Sequence, residues 1–311
     1  MEIQTTLESQ LEIIIPTYNR KAHLEHTLTQ LTAPESPVKN CKITVQDNAS
    51  NDGTDKVIAQ FAAKFSNITH IRRPKNIGGN ANIARAFETA RLPYVWIVCD
   101  DDSFKWDAWG ELETALMSGD YDILLTRKND LHGTSELAKI VRQLTFLPAG
   151  IYKTANITSG VLMNIYANVV NLFPHLAVVC EVLNKKGTFF LPQGEIMDEC
   201  SMDTTPAEKL YTKGADTYQH EIVQNMFWAV GFINSLQMIE NPQLRYYILE
   251  HVSRKEGFFS FVMGAFRRNY TLFHNNALNH AFVRQVCSPW QRVKFTVACC
   301  CLRLLTLFKT K

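Results

Sequence analysis

Between Leu11 and Leu125 the chain alternates short β-branched or aliphatic runs with longer segments whose apolar positions recur every three or four residues. Leu11-Glu12-Ile13-Ile14-Ile15 reads as a strand stopped by Pro16. Arg20 to Leu31 carries Leu24, Leu28 and Leu31 at helical spacing. Cys41 to Val45 reads as a second strand, and Asp52-Gly53-Thr54 opens a helix with Val57, Ile58, Phe61 and Phe65 on one side. Ile68–Ile71 is a third strand, Asn82–Ala90 a helix, Tyr94–Cys99 a fourth strand and Tyr121–Leu125 a fifth. Strand–helix alternation with short connections predicts an α/β domain with a Rossmann-like, mainly parallel sheet covered by helices on both faces.

Ligands of such sheets bind beyond the carboxyl ends of the strands. The polar clusters of this chain fall there: Thr17-Tyr18-Asn19-Arg20 after the first strand, Asp47-Asn48 after the second, Arg72 to Asn82 after the third, and Asp100-Asp101-Asp102 after the fourth. Three adjacent acids cannot follow Val95 to Cys99 into a core unless their charge is balanced. A divalent cation shared with the oxygens of a diphosphate is one solution. The other is an acidic helix start, with Asp102 and Ser103 capping a helix through Trp106 and Leu112.

Past about residue 130 the pattern weakens. Thr158–Val170 and Thr188–Leu191 fit strand or helix, whereas Glu221–Leu236 and Tyr246–Arg268 read as helical, with Phe258, Phe261 and Phe266 at packing-face spacing. In the last segment, Trp290 to Lys311, the apolar stripe Val293, Val297, Cys300, Leu304 and Phe308 lies among Lys294, Arg303, Lys309 and Lys311. That suits either a membrane-interface helix or a terminal helix docked on the core. The expected organisation is a catalytic domain over residues 1–215 and a mostly helical region over 216–311.

Composition narrows the function classes. With 311 residues and a net charge of +2, the chain lacks the basic footprint of a nucleic-acid binder. Its eight cysteines form no CxxC pair, which argues against a zinc site or a disulfide framework and for a reducing cytoplasm. The polar, acidic start Met1-Glu2-Ile3-Gln4 reads as no signal peptide, and no run reaches the length of a spanning helix.

The segments Ile13 to Arg20, Val45 to Thr54, Asn76-Ile77-Gly78-Gly79-Asn80-Ala81-Asn82 and Asp100 to Asp102 resemble, in order and approximate spacing, family 2 glycosyltransferases of the GT-A fold, of the bacterial polysaccharide type. The likeness covers roughly residues 10–126. It implies transfer of a sugar from a nucleotide-diphospho-sugar, usually with inversion and with Mg2+ or Mn2+. Pro16, Thr17, Tyr18 and Arg20 would then contact the donor, with Asp47 accepting a hydrogen bond from a ring N–H, which favours a UDP-sugar. Asn76 and Asn82 would orient donor groups. Asp100 and Asp102 match the DxD motif, one on ribose or metal and the other on the metal. Asp101 is counted with the donor set, but on an extended chain it points to the opposite side and reads as structural. Asn48 to Gly53 reads as turn and cap chemistry without a direct role. Trp106 and Trp109 suit an acceptor-side sugar platform or core packing.

One element of the family is missing. Members commonly place an acidic pair at the start of a helix in the second half, to act as general base. The matching helix here runs from Phe173 to Gly187, and His175 stands about where the pair is expected. An unperturbed imidazole is a competent base at neutral pH. His175 is therefore the expected base, with Glu181 and Asp198 in reserve. The expected acceptor is a saccharide, either free or polyprenyl-linked, reached from the cytoplasm at the inner membrane face. Alternatives are a nucleotidyltransferase, for which Pro16 to Arg20 lacks the Gly-rich basic loop, and a non-catalytic nucleotide-sugar or partner-binding protein.

Overall fold

A computed structural model describes residues 5–128, 136–198, 231–251, 289–290, 292–294 and 296–297. The expected alternation is present. In chain order it gives α1 (Leu7–Gln10), β1 (Leu11–Thr17), α2 (Lys21–Leu31), β2 (Lys42–Asp47), α3 (Thr54–Lys64), β3 (Ile68–Arg72), α4 (Gly79–Thr89) and β4 (Tyr94–Ile97). It continues with β5 (Ser103–Phe104), α5 (Trp109–Ser118), β6 (Ile123–Leu125), α6 (Glu136–Gln143), β7 (Gly150–Lys153), α7 (Ser159–Ala167), α8 (Leu176–Asn184), β8 (Phe189–Phe190) and β9 (Met197–Asp198). A further helix spans Pro242–His251.

Seven strands form one sheet in the order β3-β2-β1-β4-β7-β6-β8. The pairs β1–β2, β2–β3, β1–β4 and β6–β8 are parallel, and β7 alone runs against its neighbours β4 and β6. The fold is of the GT-A type, a mainly parallel sheet with helices on both faces. The sequence pattern does not mark β7: four residues opening on Gly150 just after Pro148 carry too little alternation to read as a strand. The chain needs Gly there, because a Cβ would meet Leu144 Cδ2 at 2.8 Å and the Tyr152 ring at 2.9 Å.

Buried residues divide between the two faces. Ile14, Phe87, Val95, Ile97, Tyr152 and most of α8 lie on one side; Ile13, Ile15, Trp96, Leu112 and Leu124 lie on the other. Adjacent residues of one strand thus enter opposite cores, as the pleat requires. Phe232, Leu236 and Ile248, from the segment 231–236 and the helix Pro242–His251, sit in the first of these cores with the sheet residues. The expected boundary at residue 215 lies outside the described residues. So do Glu221–Phe227 and Phe258–Phe266, and most of the tail. Within Thr158–Val170 the chain forms the helix Ser159–Ala167, Thr158 accepting the Val161 N–H at 3.3 Å as its N-cap. Among the described residues no helix is long and apolar enough to cross a membrane.

A buried carboxylate fixes how β4 enters the sheet. Glu12, on β1 and fully buried, accepts the backbone N–H groups of Arg91 and, at 2.7 Å, of Leu92, and pairs with Lys42 Nζ at 2.9 Å. Glu12→Ala leaves both N–H groups without a partner, and about 2 kcal/mol of unfolding free energy should be lost. Urea unfolding monitored by tryptophan fluorescence checks this, and an unchanged midpoint would count against the clamp.

Candidate active site

The parallel strands β1, β2 and β4 end on the same edge, and a cavity of about 570 Å³ opens there. Pro16, Thr17, Tyr18, Arg20, Asn76, Asn82, Asp100 and Asp101 all line it, so residues far apart in sequence meet as the sequence pattern implied. Asn48, Ile83, Cys99, Phe146 and Leu147 complete the wall together with Gly78 and Gly79.

Asn48, whose place in a turn sequence implies no direct role, organises one side of the cavity. Its amide donates to Asn76 Oδ1 at 2.8 Å and its Oδ1 accepts the Ile77 N–H at 3.0 Å, fixing the loop ahead of α4. The signal that could have found it is its place directly after Asp47, at the carboxyl end of β2. Gly78 enters α4 with φ of +88°, a conformation that favours glycine. Phe146 and Leu147 come from the segment before β7 and share its weak signal.

The three acids do not continue the strand. Asp100 and Asp101 occupy a turn in which the Asp102 N–H donates to the Cys99 carbonyl at 3.4 Å, so the alternation expected of an extended chain does not apply. Asp101 faces the cavity and pairs with Arg20 at 2.6 Å. Asp100 accepts the Thr17 hydroxyl at 2.6 Å and lies 3.3 Å from Arg20. Burial pushes Asp100 up to about 7 against the pull of Arg20 and Thr17. Asp102 is buried and accepts the Cys99 N–H at 2.7 Å, and desolvation, then Asp101, raises it well above the carboxylate range. The helix-cap alternative fails, because Ser103 enters β5 and α5 begins only at Trp109.

The groups close enough to share a cation also differ from the Asp100 and Asp102 pair. Cys99, Asp101 and Asp102 bring their ligand atoms within 4.8 Å of one another, whereas Asp100 is engaged by Thr17 and Arg20.

Asp47 is fully buried and lies outside the lining. Its Oδ1 accepts the Ser50 N–H at 2.8 Å; Oδ2, without a hydrogen bond, lies 3.6 Å from His70 Nε2 and 3.5 Å from Arg72 Nε. Burial raises its pKa, but the contacts from His70 and Ser50 outweigh that and hold it below the ordinary value. Trp109 is buried, stacked 6.1 Å from Trp96, so it packs the core; Trp106 is partly exposed and stacks flat on Phe104 at 5.1 Å.

His175 requires a correction. It is 2% exposed, lies away from the cavity lining and donates from Nε2 to the Leu144 carbonyl at 2.8 Å. Burial lowers its pKa to about 4. A neutral ring locked in the core cannot take a proton from a bound acceptor, so His175 is a core histidine. The helix pattern around it was legible, but the direction of its face was not. Of the reserves, Glu181 is partly exposed on α8 and does not line the cavity, while the backbone of Asp198 pairs with Ser103 directly after the acidic turn.

Residues 12–154 match the model of the family described as Glycosyl transferase family 2. Over that span, just under half of the chain, the sequence is similar to that family. The matched span contains every residue of the cavity wall. Over 109 residues the chain is 33% identical to the abequosyltransferase RfbV of Salmonella typhimurium, a match covering 35% of this chain and 33% of that protein. Over 122 residues it is 29% identical to an undecaprenyl-phosphate 4-deoxy-4-formamido-L-arabinose transferase of Aeromonas hydrophila, covering 39% and 37%. The matches thus span about a third of these relatives' length. Among solved structures, the mannosyltransferase PcManGT from Pyrobaculum calidifontis, in complex with GDP-Man and Mn2+, aligns with a TM-score of 0.55 at 14% identity. That alignment covers 98% of this chain and 83% of that one. At such identity the likeness is one of fold.

The depressed pKa of His175 has a consequence for stability. The unfolded chain takes up a proton near pH 6.5 that the folded chain refuses until about pH 4, so stability is full above the higher value and falls as pH drops between them. From pH 7 to pH 5 this group should remove about 2 kcal/mol. His175→Gln lacks the titration, and the difference between its urea midpoint and that of the wild type should shrink at pH 5. A constant difference would show that the ring is not buried neutral.

Proposed function

We propose that the protein is a metal-dependent, inverting glycosyltransferase that moves a sugar from a nucleotide-diphospho-sugar to a saccharide acceptor, polyprenyl-linked, in surface polysaccharide synthesis. The observation that carries this reading is the meeting of Thr17, Arg20, Asp100 and Asp101 at one cavity within the matched family span. A carboxylate cluster and a guanidinium facing one another can bind a diphosphate only if a cation offsets the acids.

The donor set fits a hard divalent ion. Asp101 and Asp102 would hold Mg2+ or Mn2+ by oxygen, with Asp100 turned to Thr17 and the donor's ribose. Cys99 belongs to the same cluster, but burial pushes its thiol well above its ordinary pKa, which keeps the sulfur protonated and a poor ligand. When bound, such an ion neutralises charge developing on the leaving diphosphate. Arg20 adds a second positive charge on the same wall, and Asn76 and Asn82 hold the loop and helix start that flank the donor.

A uridine donor rests on the family resemblance and not on Asp47, which is buried outside the cavity with its Oδ2 beside His70 and Arg72. For the base, Asp198 replaces His175: its backbone register beside Ser103 brings it next to the acidic turn. A cytoplasmic site at the membrane is supported by Trp290, Val293 and Val297, all exposed within the described helical residues 289–290, 292–294 and 296–297, with Lys294 over the Trp290 ring at 5.8 Å.

Two measurements test this. With a panel of UDP-, GDP- and dTDP-sugars, slow donor hydrolysis should require Mn2+ or Mg2+, and Asp102→Ala should abolish it while leaving the circular dichroism spectrum intact. Metal-independent turnover would overturn the site. Once an acceptor is found, Asp198→Asn should slow transfer by about 10²–10⁴-fold with little change in donor affinity. Transfer within a few-fold of wild type would remove Asp198 from the role.

A further inference from the structure

Large apolar side chains are not scattered over the described surface up to residue 198. Those that are exposed are Ile77, Met163, Tyr166, Val170 and Leu172. Met163, Tyr166 and Val170 follow one another at spacings of three and four, and so share one side of α7 and the turn after it. This stripe is fastened to the rim of the donor cavity. Asn80, in the first turn of α4, donates from Nδ2 to the Val169 carbonyl at 2.9 Å and the Asn171 carbonyl at 2.8 Å, and the Tyr166 hydroxyl meets Glu88 further along α4. Gly78 and Gly79, immediately before Asn80, are cavity wall, and Ile77 precedes them. The apolar edge and the cavity mouth therefore adjoin.

From the geometry we infer that this edge is a membrane-docking face, which sets the mouth of the donor cavity against an anionic lipid surface. Val170 is 81% exposed and Met163 71%, more than chance placement of single residues accounts for when the neighbours are also apolar. Charge selects the partner. The chain from Thr154 to Cys180 contains no Asp, Glu, Lys or Arg, so no acid there repels phosphate headgroups. The loop that carries Ile77 adds Arg73 and Lys75, and the nearby acid Glu88 is paired with Arg85 at 2.6 Å. Aliphatic side chains that enter the acyl boundary beside basic residues that meet the headgroups are the arrangement of an interfacial anchor. The placement rests on the function proposed above only for its purpose, that a lipid-linked acceptor would arrive along the bilayer at the cavity mouth.

The test uses the full chain and vesicles of phosphatidylglycerol and phosphatidylcholine. Wild-type protein should sediment with vesicles containing phosphatidylglycerol and not with pure phosphatidylcholine. The double variant Val170→Asp, Met163→Asp should lose most of that sedimentation, at least several-fold, with unchanged melting temperature and unchanged metal-dependent donor hydrolysis. Trp290→Asp, on the tail, serves as the comparison. If the double variant sediments like wild type, or wild type does not sediment, the docking face is refuted. A concentration-dependent dimer in gel filtration that the same substitutions abolish, without vesicle binding, would also refute it and assign the edge to a second copy. Loss of sedimentation in a protein that hydrolyses no nucleotide-sugar would sustain the docking face and sink the glycosyltransferase reading instead.

Discussion

Three aspartates in a row at the end of a core strand are the constraint around which this molecule is arranged. Asp100 and Asp102 are almost wholly buried, and desolvation pushes both above the ordinary carboxylate range. The protein answers with contacts drawn from β1 and α2: the Thr17 hydroxyl, the Arg20 guanidinium, and Thr27 and Gln30, which bind the turn's carbonyls at 2.9 and 3.2 Å. Because β1 supplies Thr17 and its loop supplies Arg20, the central strand pair must keep its register for the acids to be tolerated. Glu12 at the other end of β1 holds the chain entering β4, so the same pair is tied at both ends.

Those ties bear on how far the sequence could be read. The alternation from Leu11 to Leu125 determines a parallel sheet, because apolar runs of four or five residues between amphipathic helices have few other ways to be buried. Once the sheet is parallel, the carboxyl edge collects Thr17, Asn48, Asn76 and Asp100 without further information. What periodicity could not carry was local departure from regular structure. Asp101 faces the cavity because the acids sit in a turn, and a rule of alternation gives the opposite answer as soon as the strand ends.

The second half shows a different kind of loss. α8 was recognisable from its apolar spacing, yet nearly all its positions are apolar, from Leu176 through Leu183 except Glu181. Such a helix is buried on almost every side, and its first residues are carried inward with it. His175 therefore follows Leu176 and Val178 into the core, where the backbone carbonyl of Leu144 accepts its Nε2–H. A polar residue at the head of a half-exposed helix would have faced the cavity. Its neighbours, not its own chemistry, decided the role.

The same absence of charge has an opposite effect one turn of chain earlier. Between Thr154 and Cys180 the sequence offers no charged side chain to mark which face is solvent. On α8 this leads to burial; on α7 it leaves Met163 and Val170 outside, because Val161 and Ile165 already fill the space against α8. Exposed aliphatic residues lower solubility, so their retention on one edge, next to the cavity wall and tied to it through Asn80, is best explained by something that covers them in use. A bilayer covers such an edge without requiring a matching shape, and the basic residues on the adjoining loop determine the sign of its surface charge.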